Sequence, residues 1–152
     1  MNSPCYDTLA KQTEALLAGE DDFVAAMANF SALVNDNLDD INWAGFYIFK
    51  QDQLVLGPFQ GKVACTRIPM GRGVCGTAAA ENRTLRIADV HGFDGHIACD
   101  AASNSEIVIP VRRDNQVIAV LDIDSPSLDR FSETDQIGLE KLVNSFEKTL
   151  FA

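Results

Sequence analysis

The chain has 152 residues, 47% of them hydrophobic, a length at which roughly 70% of the unfolded surface is buried on folding, so one domain over residues 1–152 is expected, without disulfide staples. A formal net charge of −10, from 22 acidic against 12 basic residues with no basic cluster beyond Arg112-Arg113, argues against nucleic acid and anionic membranes as partners. With no basic flank and apolar run of a signal peptide and no apolar segment near the ~20 residues of a membrane span, a cytoplasmic location is expected.

Residues 3–17 read as a helix, with Ser3 to cap it, Pro4 in the first helical position, and Tyr6, Leu9, Ala10, Thr13, Leu16 and Leu17 on one face. Gly19 ends it. A second helix follows Asp21-Asp22, with Phe23, Met27, Phe30, Val34 and Leu38 at helical spacing. Aromatic and β-branched residues then predict a strand over 41–50, a turn at Gln51-Asp52 and a return strand over 53–60. Further strands are expected over 63–70, 85–90, 106–113 and 116–124, the last two joined by Asp114-Asn115 as a hairpin. A short helix fits 73–81, and residues 91–104 lack periodicity and read as a long loop. A capping box at Ser132 and Asp135 opens the last helix, striped by Leu139, Leu142, Val143, Phe146 and Leu150. Three long helices and six strands make an α+β domain: a mostly antiparallel sheet, helices on one face and long loops over the other.

Alternation in the 116–124 strand puts Val117, Ala119, Leu121 and Ile123 on one face, and Asp122 and Asp124 on the other. Asp122 interrupts an apolar run and needs a partner or a cavity, whereas Asp124 also suits a turn toward Ser125-Pro126. Glu106, starting the neighbouring strand, can join them. Three acids around one cavity would hold a ligand ammonium, or raise one another's pKa until one becomes a proton donor. By the same parity Trp43, Gly45 and Tyr47 share a face, with a slot over Gly45 suited to a thioether methyl, although aromatics in strands are commonly core.

In the cytosol thiols stay reduced, so the four cysteines are expected to be free, catalytic or metal-bound. Cys65, Cys75 and Cys99 lie in one Gly-, His- and Asp-rich region, which suggests redox chemistry. The run Gly71-Arg72-Gly73-Val74-Cys75-Gly76 spells the dinucleotide fingerprint, but in a hairpin-rich sheet it reads better as a turn into a helix. Cys75 then sits in a first helical turn, where the dipole favours a thiolate. Cys99 falls in the long loop. Zinc on a set drawn from Cys65, Cys75, Cys99 and His91 or His96 competes with this reading, against which no Cys-x-x-Cys pair appears. His91 and His96 read as loop-ordering hydrogen-bond donors, and Cys5 as incidental.

Together, Asn42-Trp43-Ala44-Gly45-Phe46-Tyr47, Ala64-Cys65-x-Arg67-Ile68, Gly73-Val74-Cys75-Gly76, His96-Ile97-Ala98-Cys99-Asp100, Ser103-Asn104-Ser105-Glu106 and Leu121-Asp122-Ile123-Asp124-Ser125 resemble the free methionine-(R)-sulfoxide reductases, which are stand-alone GAF domains. The resemblance implies an enzyme without metal or other cofactor that reduces the R epimer of free methionine sulfoxide and is recycled by a thioredoxin-type reductant, often as a homodimer. It implies that Cys99 attacks, that Cys65 resolves, and that Cys75 is a second candidate for the relay. Trp43 and Tyr47 would line the methyl pocket; Glu106, Asp122 and Asp124 would hold the ammonium and the sulfoxide. Here helix-terminus reasoning, which favours Cys75 as the most acidic thiol, and the resemblance, which favours Cys99, point apart. The alternative is a non-enzymatic GAF sensor of a small molecule.

Overall fold

The computed structural model describes residues 4–95 and 102–151. Among them, six strands form one sheet: β1 (Trp43–Lys50), β2 (Gln53–Gly61), β3 (Arg67–Pro69), β4 (Leu85–Ile87), β5 (Ser105–Arg113) and β6 (Gln116–Ser125). Their order across the sheet is β3-β2-β1-β6-β5-β4, and every neighbouring pair is antiparallel. Both hairpins turn on two consecutive left-handed residues, Gln51 and Asp52 at φ 52° and 64°, and Asp114 and Asn115 at the same two values. Positive φ at both central positions matches the right-handed twist of the flanking strands, which is why these dipeptides reverse the chain so tightly.

One face of the sheet meets α2 (Phe23–Asn37) and α4 (Glu133–Leu150), and α1 (Tyr6–Leu17) packs on α4 in the same core. From the sheet come Ala44, Phe46, Ile107, Ile109, Leu121 and Ile123; from the helices come Leu9, Met27, Phe30, Leu139, Leu142 and Phe146. The rings of Phe30, Phe46 and Phe146 pack mutually at centroid distances of 5.1–5.9 Å. Each fully buried side chain of this size contributes about 1.5–3 kcal/mol, so this layer is the main source of stability. Asp22 caps α2 by accepting from the amide of Ala25 at 2.8 Å, and Ser132 with Asp135 forms the expected capping box on α4.

Helix α1 docks on α4 through a small residue. Tyr6 lies against Gly138 so closely that a Cβ there would meet the ring at 2.1 Å. The Tyr6 hydroxyl donates to Asp135 at 2.6 Å, and Asp135 pairs with Arg130 at 3.2 Å, both ionic side chains 5% exposed.

The opposite face is smaller and carries a second cluster with Trp43, Tyr47, Leu54, Val74, Ala78, Val108 and Val120. Helix α3 (Gly73–Glu81) lies on this face, so it is roofed by a helix as well as by loops, a departure from the expected arrangement of helices on one face alone. Two of the expected strands are shorter than their sequence suggests. Residues 63–70 reduce to β3, and 85–90 to β4 followed by a single 3-10 turn, Val90–Gly92. Both lie at the sheet edges, where short strands leave little unpaired backbone.

Candidate active site

Register decides which side chains meet. Trp43 pairs with Asp124 and Gly45 with Asp122 across β1 and β6, while Glu106 pairs with Asp124 and Val108 with Asp122 across β5 and β6. Paired residues share a face, so Trp43, Tyr47, Glu106, Asp122 and Asp124 all project to the α3 side. There they line one cavity. Val63, Ala64, Ile68 and Val74 add apolar wall, and Arg72, Cys75 and Ser103 add polar groups.

Two expectations about these strands need correction. A bulge displaces the register of β5 and β6 beside Val111, so that Val117 packs with the acid-side cluster and Ile118 with the large core. Val117 therefore does not share the face of Ala119, Leu121 and Ile123. The extra residue of a bulge reverses the alternation beyond it. Nor does Gly45 open a slot: the place a Cβ would take is filled by Phe59, whose Cβ lies 2.2 Å from it. The missing side chain lets β2 approach β1, and Phe59 stacks on Trp43 at 4.9 Å and 15°. Trp43 in turn lies 5.9 Å from Tyr47 at 22°, so the three rings make a continuous apolar wall.

Both pocket aromatics also hold the segment that carries Cys65. The Tyr47 hydroxyl donates to the Cys65 carbonyl at 2.9 Å, and Trp43 Nε1 donates to the Lys62 carbonyl at 3.1 Å. These polar ends were not legible in the sequence, since the acceptors are main-chain atoms of an irregular segment. Ser103, which accepts from Asn42 Nδ2 at 3.3 Å, and Arg72 were also not expected at the pocket. The only signal for Ser103 is its place just before Ser105-Glu106.

Burial sets the electrostatics. Glu106 and Asp122 are 7% and 5% exposed. Burial, and then the charges of Asp122 and Asp124, push the Glu106 carboxyl well above the usual carboxylate range. Burial also raises Asp122, opposed by hydrogen bonds from Glu106 and Cys75 and with Asp124. Of the two, Glu106 is thus the carboxyl better suited to give a proton. The Tyr47 phenol is raised too, first by burial and then by Asp122.

Cys75 stands in the first turn of α3, where the Gly-rich run was expected to place it, with Gly71 N–H bonded to the Gly76 carbonyl at 2.8 Å. Its expected acidity is reversed. Burial, and then Asp122, Glu106 and Asp124, push the thiol well above its ordinary value. The negative cluster and the loss of water outweigh the helix dipole, whose worth is at most about 2 kcal/mol. The thiol lies 3.9 Å from Glu106 Oε2. Cys65 is disulfide-bonded, whereas Cys5 and Cys75 are free thiols. A zinc set using Cys65 would need a thiolate there, which a disulfide does not supply. Cys99 and His96 lie outside the described residues. His91 Nε2 is 3.0 Å from Asn104 Oδ1, in keeping with a loop-ordering role.

Residues 28–149 match the model of the GAF domain family. Free methionine-R-sulfoxide reductase of Escherichia coli is 61% identical over 145 residues, covering 95% of this chain and 88% of the relative. The chain belongs to the free methionine-R-sulfoxide reductase family. The reduced form of fRMsr of Staphylococcus aureus superposes on this family member with a TM-score of 0.95 at 54% identity, covering 98% of this chain and 97% of that one. Free methionine-R-sulfoxide reductase of Neisseria meningitidis, solved in complex with its substrate, gives a TM-score of 0.91 at 44% identity, covering 96% and 88%. Among the described residues of this reductase-family chain, no helix is long and apolar enough to cross a membrane.

Proposed function

We propose that this chain reduces free methionine (R)-sulfoxide to methionine, and that the buried acids facing an aromatic wall are the substrate site. The observation that carries the reading is the shared face of Trp43, Tyr47, Glu106, Asp122 and Asp124 around one cavity. Trp43 and Tyr47 pack on the S-methyl group, and Asp122 with Asp124 receives the α-ammonium. That charge is present in the free amino acid and absent from a methionine inside a peptide, so these acids also select for the free form.

In the chemistry we infer, the Cys99 thiolate attacks the sulfoxide sulfur while Glu106 gives its proton to the sulfoxide oxygen. The attack joins the Cys99 sulfur to the substrate sulfur; the hydroxyl then passes to Cys99 as the S–O bond and the new S–S bond both break, so that methionine leaves and Cys99 becomes a sulfenic acid, the substrate reduced by two electrons and the thiol oxidised by two. Cys65 then condenses with the sulfenic acid, releasing water and forming a disulfide. A thioredoxin-type dithiol in the cytoplasm returns both cysteines to thiols by exchange. The disulfide state of Cys65 supports its part as resolving residue, and the high proton affinity of Cys75 argues for leaving that thiol out of the attack. As in many GAF domains of this type, the working unit in our reading is a homodimer.

The test is incubation with free racemic methionine sulfoxide and thioredoxin, following methionine release and the epimer consumed. Consumption of the R epimer is expected, with N-acetylmethionine sulfoxide turned over about 100-fold more slowly for want of the ammonium. Cys99→Ser should abolish release, and Cys65→Ser should give one methionine per chain and then stall. Release from neither epimer would leave a ligand-sensing GAF domain as the reading, and full multiple turnover by Cys99→Ser would remove Cys99 from the mechanism.

A further inference from the structure

Cys75 is a buried nucleophilic sulfur that the proposed reaction does not use, and its neighbours are donors of a different kind. Its Sγ and one carboxylate oxygen each from Glu106 and Asp122 all lie within 4.8 Å of one another, with Sγ 3.9 Å from Glu106 Oε2. Zinc bonded to sulfur at ~2.3 Å and to oxygen at ~2.0–2.2 Å in a tetrahedron sets ligand-to-ligand edges near ~3.5 Å. Closing the cluster onto such an ion asks for a contraction of little more than ~1 Å along its longest edge. A separate observation points to a cation. Oδ1 of Asp122 has no hydrogen-bond partner among the described residues, although the residue is only 5% exposed and lines the cavity. A buried carboxylate oxygen left so is costly until something positive or donating meets it.

We propose that Cys75, Glu106 and Asp122 form a three-ligand site for a zinc-class divalent cation, and that its occupancy closes the pocket to an amino-acid ammonium. The scaffold is rigid where it matters. Glu106 and Asp122 sit on paired strands, and Cys75 is fixed by the first turn of α3. One sulfur with two carboxylates selects zinc or cadmium over magnesium or calcium, which prefer oxygen alone. The fourth position faces the cavity and takes water. On binding, the thiol proton and the Glu106 proton pass to solvent, and the ion replaces them as the positive charge of the cluster. The site goes beyond the reductase reading, because it concerns an ion held in the pocket and not turnover.

The experiment uses the whole chain in its oxidised form, with Cys65 in its disulfide, carrying Cys5→Ser so that the exposed thiol cannot contribute. Cadmium is titrated in, and the ultraviolet thiolate-to-cadmium charge-transfer band is followed. One equivalent per chain is expected, displaced by zinc but not by magnesium, and released by free methionine sulfoxide. Cys75→Ser should lose the band, and Glu106→Gln should weaken cadmium by at least about tenfold. Absence of the band, or its persistence in Cys75→Ser, would overturn the site. Should Cys75→Ser not fold, Glu106→Gln decides alone, and unchanged affinity there overturns it. Methionine release is scored in a separate assay, so the two readings fail separately.

Discussion

Glu106 is held at a disadvantage to folding. Its carboxyl is buried and faces two further acids, so its proton affinity rises in the folded chain. A carboxyl raised in this way costs stability progressively as pH climbs above the unfolded value of about 4.3. Glu106→Gln keeps the shape and a donor but carries no titrating group. We expect the variant to be more stable than wild type by about 1–2 kcal/mol at pH 7, with the difference growing as pH rises above the unfolded value. Denaturant midpoints at several pH values check this. Turnover should fall by about 100-fold or more, the usual contribution of a positioned general acid. A variant that is both more stable and fully active would place the proton elsewhere.

At the scale of elements, the contact of α1 with α4 rests on a missing side chain. A methyl group at position 138 would collide with the Tyr6 ring, which cannot swing freely while its hydroxyl is bound to Asp135. Overpacking of this kind costs about 1–3 kcal/mol, more than the ~1 kcal/mol that alanine gains over glycine within a helix. Gly138→Ala should therefore lower the thermal midpoint by a few degrees, measurable by circular dichroism. The same junction makes stability depend on pH. Burial raises Asp135, but hydrogen bonds from Ser132 and Tyr6 and the charge of Arg130 outweigh it and hold the carboxyl below its ordinary value. That stability is complete above about pH 4 and is lost as pH falls through the folded value. Tyr6 is raised by burial and by its bond to Asp135, so its share is complete below about pH 10 and is lost above it. Tyr6→Phe should lower the midpoint by about 1 kcal/mol of stability near neutrality, with less loss on the alkaline side, as a pH series of melts would record.

Over the whole molecule, strands β1 and β6 do two jobs at once, one face feeding the large core and the other the pocket. This division was legible, because period-two alternation distinguishes Phe46, Leu121 and Ile123 from Trp43, Asp122 and Asp124 without any knowledge of the partner strands. The starts of α2 and α4 were legible for the same local reason, through Asp22, Ser132 and Asp135, whereas the first helix begins at Tyr6, after Cys5, and not at Pro4 as its sequence suggests. What the sequence did not disclose depends on contacts between distant segments. A bulge moved Val117 to the other face, Phe59 filled the space over Gly45, and the summed field of three acids reversed the expected acidity of Cys75. None of these follows from a window of neighbouring residues.

The chain has a single tryptophan, and Trp43 lies between the stacked ring of Phe59 and the segment leading to Cys65, tied to that segment by its indole nitrogen. The disulfide of Cys65 lies three residues along the chain from the carbonyl that the indole holds. The emission of this one fluorophore should change in colour or yield on adding dithiothreitol and return on reoxidation, with Cys65→Ser silent to both. Such a response would make the indole an optical gauge of the proposed thiol cycle, readable in real time without a label.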